Sequence, residues 1–281
     1  MPPVVLVTGC ASGIGKATAE RLQRRGDLQV WASARREDQL ADLARLGCRT
    51  IALDVANEAS RAAAIERIQA SSGGVDWLVN NAGYSQSGAV EAVSMADWQR
   101  QFDTNVFGLV RMCQLVLPGM RAKKAGRIIN VGSMGGTLTF PGGGAYHASK
   151  YAVEAISDAL RFEVRGFGVR VSLIQPGLIR TGFAGAVAHN LAQPTPESPY
   201  AGFTEAVAKA THDVYESGPL ARFGGDPDDV AVVIERALTA ASPKARYRVT
   251  ASAHLMMTQR QLMPDWAWDA FLATSFPRPG A

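Results

Sequence analysis

Residues 4–15 read Val4-Val5-Leu6-Val7-Thr8-Gly9-Cys10-Ala11-Ser12-Gly13-Ile14-Gly15. An unbroken apolar run of this length, Val4–Thr8, predicts a strand covered on both faces, the kind found in parallel sheets. The glycines that follow predict a tight turn. From Gly13 to Arg25 the spacing becomes helical, with Ile14, Ala17 and Leu22 apolar and Gly26 as the stop signal. Strand, glycine turn and helix in this order place free N–H groups and the positive end of a helix dipole where a pyrophosphate can approach the backbone. The spacing is G-x-x-x-G-x-G, not the common G-x-G-x-x-G. The nucleotide reading therefore rests on the β-turn-α context, and a Gly-rich turn chosen for packing is the alternative.

The same rhythm continues outward. Strands are expected at Leu28–Ser33, Arg49–Leu53, Val75–Asn80, Gly126–Val131 and Val169–Ile174, with a seventh at Arg246–Thr250. Helices are expected at Glu37–Leu46, Glu58–Ala70, Ala96–Arg121, Tyr146–Arg165 and Asp226–Ala241. Alternation of this kind predicts βαβ units. The fold class is α/β: a Rossmann-type, doubly wound, mostly parallel seven-stranded sheet with helices on both faces, formed by one domain over residues 1–281. Residues 176–225 break the rhythm with Pro176, Pro194, Pro196, Pro199 and Pro219, which suggests a substrate lid at about 180–225. The tail at about 250–281 carries Trp266, Trp268, Phe271 and Phe276. It is expected to cover the active-site cleft, a neighbouring subunit or its own core.

Composition narrows the function classes. Net charge is +4, from 29 Lys and Arg against 25 Asp and Glu, and no basic block marks a nucleic-acid arm. No apolar run reaches the roughly 18 residues of a membrane span. The first residues are too short for a signal peptide. Cys10, Cys48 and Cys113 are odd in number and fit no disulfide or metal spacing. A reducing, cytoplasmic setting is expected. His147, His189, His212 and His254 are dispersed, so no metal site is expected.

The second strand ends in Ser33-Ala34-Arg35-Arg36. A fold of this class that binds NAD usually places an acid here for the ribose 2′-OH. Arginine pairs instead with a phosphate, so NADP is expected over NAD, unless Arg35 and Arg36 are simply solvated. Asp54 ends the third strand at the same edge and is suited to the adenine amine. Tyr146 and Lys150 are four apart on a predicted helix and share a face. Either they are a core phenol and a surface ammonium, or a catalytic pair.

The Thr8–Gly15 cluster, Asn80-Asn81-Ala82-Gly83, Asn105 in Asn-Val-Phe-Gly, Ser133, Tyr146, Lys150, Pro176-Gly177 and Thr181 occur in the order and spacing of the short-chain dehydrogenase/reductase family, which this chain resembles over about residues 4–183. The second half, with Arg222-Phe223-Gly224-Gly225-Asp226-Pro227 before a helix, is similar to the steroid and retinol dehydrogenase branch. The resemblance implies roles. Tyr146 is the general acid/base. Lys150 holds the nicotinamide ribose and lowers the Tyr146 pKa. Ser133 holds the substrate oxygen, and Asn105 supports a relay water. Cofactor contacts fall on Gly9, Ser12, Gly13, Ile14 and Gly15; on Arg35 and Arg36; on Asp54 and Val55; on Asn81, Ala82 and Gly83; on Tyr146 and Lys150; and on Pro176, Gly177, Ile179 and Thr181. His147 receives a structural role.

Chemistry supports these roles. Hydride addition to a carbonyl leaves an alkoxide that needs a proton donor, and a hydroxyl beside it stabilises the developing charge. The expected activity is NADP(H)-dependent interconversion of a hydrophobic alcohol with its ketone or aldehyde. The alternatives are a non-catalytic nucleotide sensor or scaffold, and an epimerase or dehydratase using the same Tyr/Lys pair. Phe183, Val187, Leu191, Tyr200, Phe203, Val207 and Tyr215 make the lid apolar, which suits a bulky substrate unless they are core. The resemblance also implies a homodimer or homotetramer built on the two long helices, whose outer faces are expected to include Val106, Leu109 and Val153, as interface or as core.

Overall fold

A computed structural model of the protein describes residues 1–181, 185, 187, 190–192, 197–216 and 219–280. Seven strands form one sheet: β1 (Val4–Val7), β2 (Gln29–Ala34), β3 (Arg49–Ala52), β4 (Trp77–Asn80), β5 (Gly126–Val131), β6 (Val169–Pro176) and β7 (Arg246–Val249). Their order is β3-β2-β1-β4-β5-β6-β7 and every pair is parallel. The chain winds outward from β1 to β3, then returns to start β4 on the other side of β1. That reversal opens a crevice beyond the carboxyl ends of β1 and β4, where ligands of such sheets bind.

Helices α1 (Gly13–Arg24), α2 (Ala41–Arg45), α3 (Glu58–Ser72), α4 (Met95–Phe102), α5 (Gly108–Ala122), α6 (Gly144–Val164), α7 (Ala201–Glu216) and α8 (Pro227–Thr239) connect or cover the strands. The pleat of β1 shows why its whole run is apolar. Val5 and Val7 pack with Ala19 and Leu22 of α1, Leu43 of α2 and Ile234 of α8. Val4 and Leu6 face the other way, toward Ile68 of α3, Met112 and Val116 of α5, and Val153 of α6. Both faces are thus covered, as the apolar run requires.

Two expectations need correction. The single helix expected at Ala96–Arg121 is interrupted by a π-helical turn at Asp103–Phe107, between α4 and α5. Such a turn adds a residue to one helical circuit and often marks a functional position; here it carries Asn105. The tail carries two helices that were not assigned from sequence, α9 (Ala251–Leu262) and α10 (Asp265–Leu272). Trp268 of α10 packs with Met134, Leu138 and Leu178, so the tail covers its own chain next to the loop after β5. Finally, Val106, Leu109 and Val153 are not on an outer surface. They are 5%, 7% and 0% exposed, and Leu109 and Val153 belong to the core beside β1.

In the lid, Val187, Leu191, Phe203 and Val207 are buried, the last three against Ala89 with Tyr200 and Phe276 alongside. Those three serve as core. Phe183, His189, Pro194 and Pro196 lie outside the described residues.

Candidate active site

The carboxyl ends of β1 to β6 bring the expected residues to one edge. Gly9 and Gly13 have φ of +74° and +57°, a region costly for any residue with a Cβ. A Cβ on Gly15 would lie 2.2 Å from the Gly9 oxygen, and one on Gly9 would lie 2.9 Å from Ala82 Cα. The loop is therefore closed to side chains on its inner side. Helix α1 has no acidic residue in its first turn, and the Ser12 side chain caps none of its N–H groups. Those groups and the dipole end remain suited to an anion. A Cβ on Gly13 would come 3.4 Å from Thr181 Cγ2, so the segment after β6 reaches across the crevice to this loop. A nicotinamide dinucleotide fits a site so shaped: backbone donors and no carboxylate at the phosphate end.

Loop and sheet are locked together by two residues of the Asn80–Gly83 segment. Asn81 Nδ2 donates to the carbonyls of Thr8 and Gly9 at 2.9 and 3.1 Å, while the backbone N–H groups of Asn81 and Ala82 both donate to Thr8 Oγ1 at 3.0 Å. Arg35 and Arg36 are exposed just beyond β2; Arg36 lies 3.5 Å from Asp38, and Arg35 has no ion pair among the described residues. Asp54 accepts the Ala56 N–H at 2.9 Å, so one carboxylate oxygen holds its own turn. Val55 is buried in the core and Ile179 is 5% exposed. Gly177 is wedged against the next element: a Cβ there would lie 2.4 Å from Ser252 Oγ, which also accepts the Leu178 N–H at 3.0 Å.

Tyr146 and Lys150 sit in the first two turns of α6, and Ser133 caps the short 3-10 turn Met134–Gly136 after β5. The side chains of Ser133 and Tyr146 are hydrogen-bonded. Lys150 Nζ donates to the Val131 carbonyl at 2.9 Å and lies 5.8 Å from the centre of the Tyr146 ring. The pair is on one face, as its spacing predicts. The expected drop of the Tyr146 pKa is not found. Burial pushes the phenol above its ordinary value, and the Ser133 hydrogen bond only partly offsets it. Burial also pulls the Lys150 ammonium down to about 8. Desolvation disfavours both charged forms here and sets the direction of both shifts. At neutral pH Tyr146 is a protonated phenol beside a largely charged lysine, an arrangement that can give a proton.

Several supporting residues escaped the sequence reading. Asn105 does not reach Tyr146 directly. Its Oδ1 accepts the Tyr84 N–H at 3.1 Å, and its Nδ2 donates to the Tyr84 carbonyl at 3.0 Å and to Ser149 Oγ at 3.1 Å. Ser149 in turn donates to the Tyr146 carbonyl at 2.6 Å. Gln101, fully buried, accepts the Gln86 N–H and donates to the Tyr84 carbonyl. Asn80 donates to Asn130 Oδ1 at 3.0 Å, and Asn130 to Ser157 Oγ at 2.9 Å, tying β4, β5 and α6. Tyr215 of α7 adds a second phenol near Tyr146; burial first, then that neighbour, push its pKa up. Three to four residues separate Asn105 from Gln101, and Ser149 from Tyr146. Helical spacing was the one available signal, and it does not say which polar side chain turns inward.

Two surrounding features complete the site. All three thiols are buried, Cys10 in the glycine loop and Cys113 bonded by Asn80 at 3.3 Å. Burial raises Cys10 and Cys113 to about 12 and Cys48 to about 11. Among the described residues there is no cluster that could hold a metal ion and no helix long and apolar enough to cross a membrane.

Comparison with known proteins agrees with this geometry. A family model described as short chain dehydrogenase matches residues 3–192. The 3-ketodihydrosphingosine reductase of Bacteroides thetaiotaomicron is 41% identical over 65% of this chain and 66% of its own length. The 17-beta-hydroxysteroid dehydrogenase type 6 of Bos taurus is 33% identical over 98% of this chain and 89% of its own. A serine dehydrogenase solved in its closed form with NADP+ superimposes with a TM-score of 0.75, at 31% identity, over 88% of this chain and 94% of that one. The chain, an oxidoreductase by fold and sequence, belongs to the short-chain dehydrogenase/reductase family.

Proposed function

We propose that the protein is an NADP(H)-dependent oxidoreductase that interconverts a hydrophobic alcohol and its ketone or aldehyde, with Tyr146 as general acid/base. The observation that carries this reading is the meeting of Ser133, Tyr146 and Lys150 at the sheet edge beside the glycine loop. A bound nicotinamide supplies or accepts the hydride. Tyr146 gives its proton to the substrate oxygen in reduction and takes it back in oxidation. Ser133, already bonded to Tyr146, donates to that oxygen as charge develops. Lys150 holds positive charge below the pair, and Asn105 fixes the Tyr146 end of α6 through Ser149. Arg35 and Arg36 are suited to a 2′-phosphate, and the NADP+ complex of the serine dehydrogenase relative supports that preference.

A hydrophobic substrate is supported by the names of the relatives, which refer to a ketodihydrosphingosine and a hydroxysteroid. It also accords with the apolar neighbours of the site, Met134 and Tyr215. Pairing with a second copy through the helices before and after β5 belongs to the same proposal. The apolar side chains those helices and the π turn expose are Phe107, Tyr151 and Phe162.

The test is oxidation of NADPH and of NADH, side by side, across a panel holding an aryl alkyl ketone, a ketosteroid, a long-chain 3-ketone and retinaldehyde. Turnover with NADPH is expected, with kcat falling at least about 10³-fold in Tyr146→Phe, where only proton transfer is lost. Faster turnover with NADH would discard the arginine reading. Undiminished turnover in the mutant would discard Tyr146.

A further inference from the structure

His147 follows Tyr146 on α6 and is 7% exposed. Its Nδ1 lies 2.9 Å from the Gly135 carbonyl oxygen and its Nε2 lies 3.2 Å from the Phe140 nitrogen. A carbonyl can only accept and a backbone N–H can only donate. The ring therefore carries its proton on Nδ1 and offers the Nε2 lone pair to Phe140. Both partners belong to one loop, residues 133–140, which leaves β5 and starts with Ser133. Within that loop the Gly135 N–H donates to Ser133 Oγ at 3.0 Å. One residue thus accepts from His147 through its carbonyl and holds the Ser133 hydroxyl through its N–H.

The ring sits in a space cut for it. A Cβ on Gly135 would lie 2.7 Å from His147 Nδ1, and one on Gly143 would lie 2.6 Å from Cδ2. The Phe140 ring lies 5.9 Å from the imidazole on one side and 6.2 Å from Trp268 of α10 on the other. The far end of the loop is thereby clamped between α6 and the C-terminal helices. Leu138, between the two tied positions, and Met134, just before the first of them, are buried in the same cluster as Trp268.

We propose that His147 is a positioning residue: as the neutral Nδ1–H tautomer it ties both ends of loop 133–140 to α6 and so holds the Ser133 hydroxyl at the Tyr146 phenol. The inference rests on the chemistry proposed above for Ser133 and Tyr146. Acid should release the tie. The groups that face the ring are the Gly135 carbonyl and Phe140 N–H of the loop, the Phe140 ring and, at 5.6 Å, the Tyr146 ring of its own helix. No carboxylate is bonded to it among the described residues, and burial lowers its pKa. A second proton, on Nε2, would set two donors against each other at Phe140.

The experiment compares His147→Phe, His147→Asn and His147→Gln with the wild type, using NADPH and the fastest ketone of the panel. Phe fills the volume with no polar atom. Asn restores a donor near the Nδ1 position, and Gln an amide near Nε2. In His147→Phe, kcat is expected to fall by about 10- to 100-fold, the cost of a displaced catalytic group, with NADPH affinity by fluorescence within about 2-fold. His147→Asn should recover most of kcat and lose the acid limb that protonation of the imidazole gives the wild type. Wild-type kcat in His147→Phe would overturn the inference. So would a loss confined to NADPH affinity, or an Asn variant no better than Phe. Tyr146→Phe is measured in parallel. If it abolishes turnover while His147→Phe does not, this inference alone fails; if it retains turnover, the underlying chemistry fails.

Discussion

Lys150 shows at the residue scale what the site costs. Its ammonium is buried, its pKa is pulled down to about 8, and it donates a hydrogen bond to the backbone carbonyl of Val131. The unfolded chain binds that proton up to about 10.5. Between these values the unfolded state holds more protons, so stability rises with pH there; below pH 8 the penalty is fully present. A shift of this size corresponds to about 3 kcal/mol as an upper bound. Lys150→Met is therefore expected to be inactive yet more stable at pH 7, with its advantage shrinking between pH 8 and 10.5. Urea unfolding at pH 7, 9 and 10 checks this, and an advantage that grew with pH would refute the assignment. That Lys150 shares a helix face with Tyr146 was legible from spacing, and its place in the site only from the family resemblance. The direction of the Tyr146 shift was not, because sequence gives the partner's charge but not the burial that opposes it.

At the scale of elements, the polar ties between strands and helices decide how firmly the crevice is held. Strand β5 reads Gly-Arg-Ile-Ile-Asn-Val, and Asn130 within it is fully buried. Its amide joins Asn80 on β4 to Ser157 on α6. A like tie holds the other side: Glu154 of α6 accepts from Gln175 of β6 at 2.6 Å and from Arg246 of β7 at 3.1 Å. Asn130→Ala breaks the first tie from its middle and leaves Asn80 with Cys113 as its side-chain partner. A loss of roughly 1–3 kcal/mol is expected, the usual cost of leaving buried polar groups poorly satisfied. Chemical denaturation measures it; a neutral result would mean that water or repacking replaces the bonds. Element positions were readable because short strand-like runs alternate with helical spacing along the chain, even where the run, as in Arg-Thr-Ile-Ala of β3 and Arg-Tyr-Arg-Val of β7, is not apolar throughout. The π turn at Asp103–Phe107 was not, since helical periodicity continues through it, and α9 and α10 were hidden by an aromatic-rich segment that reads as mere tail.

Across the whole molecule, the sheet order explains why residues from 9 to 181 converge. Each strand but the last contributes the residues just past its carboxyl end, so one edge collects the glycine loop, Asn81, Ser133 and Gly177. This much follows from parallel strands and family order, and it was legible. How the second half packs is less so: Trp268 meets Met134 and Leu138, and Phe276 and the buried side chains of α7 meet Ala89, where apolar residues give no hint in sequence of which partner they meet.

The three buried thiols turn that architecture into its own reporter. Cys10 lies in the loop that would receive a phosphate and Cys113 beneath the β4–β5 junction, while Cys48 lies near α1, its Sγ 3.9 Å from the Ala19 carbonyl. Folded protein should hardly react with a maleimide dye, because attack requires a thiolate and access, and burial denies both. Labelling then proceeds only through opening, and its rate counts excursions out of the closed state. Mass spectrometry of each cysteine with time would separate local opening at Cys10 from wider unfolding at Cys48 and Cys113. NADPH should slow Cys10 first, and equal slowing at all three would mean that the loop never opens alone.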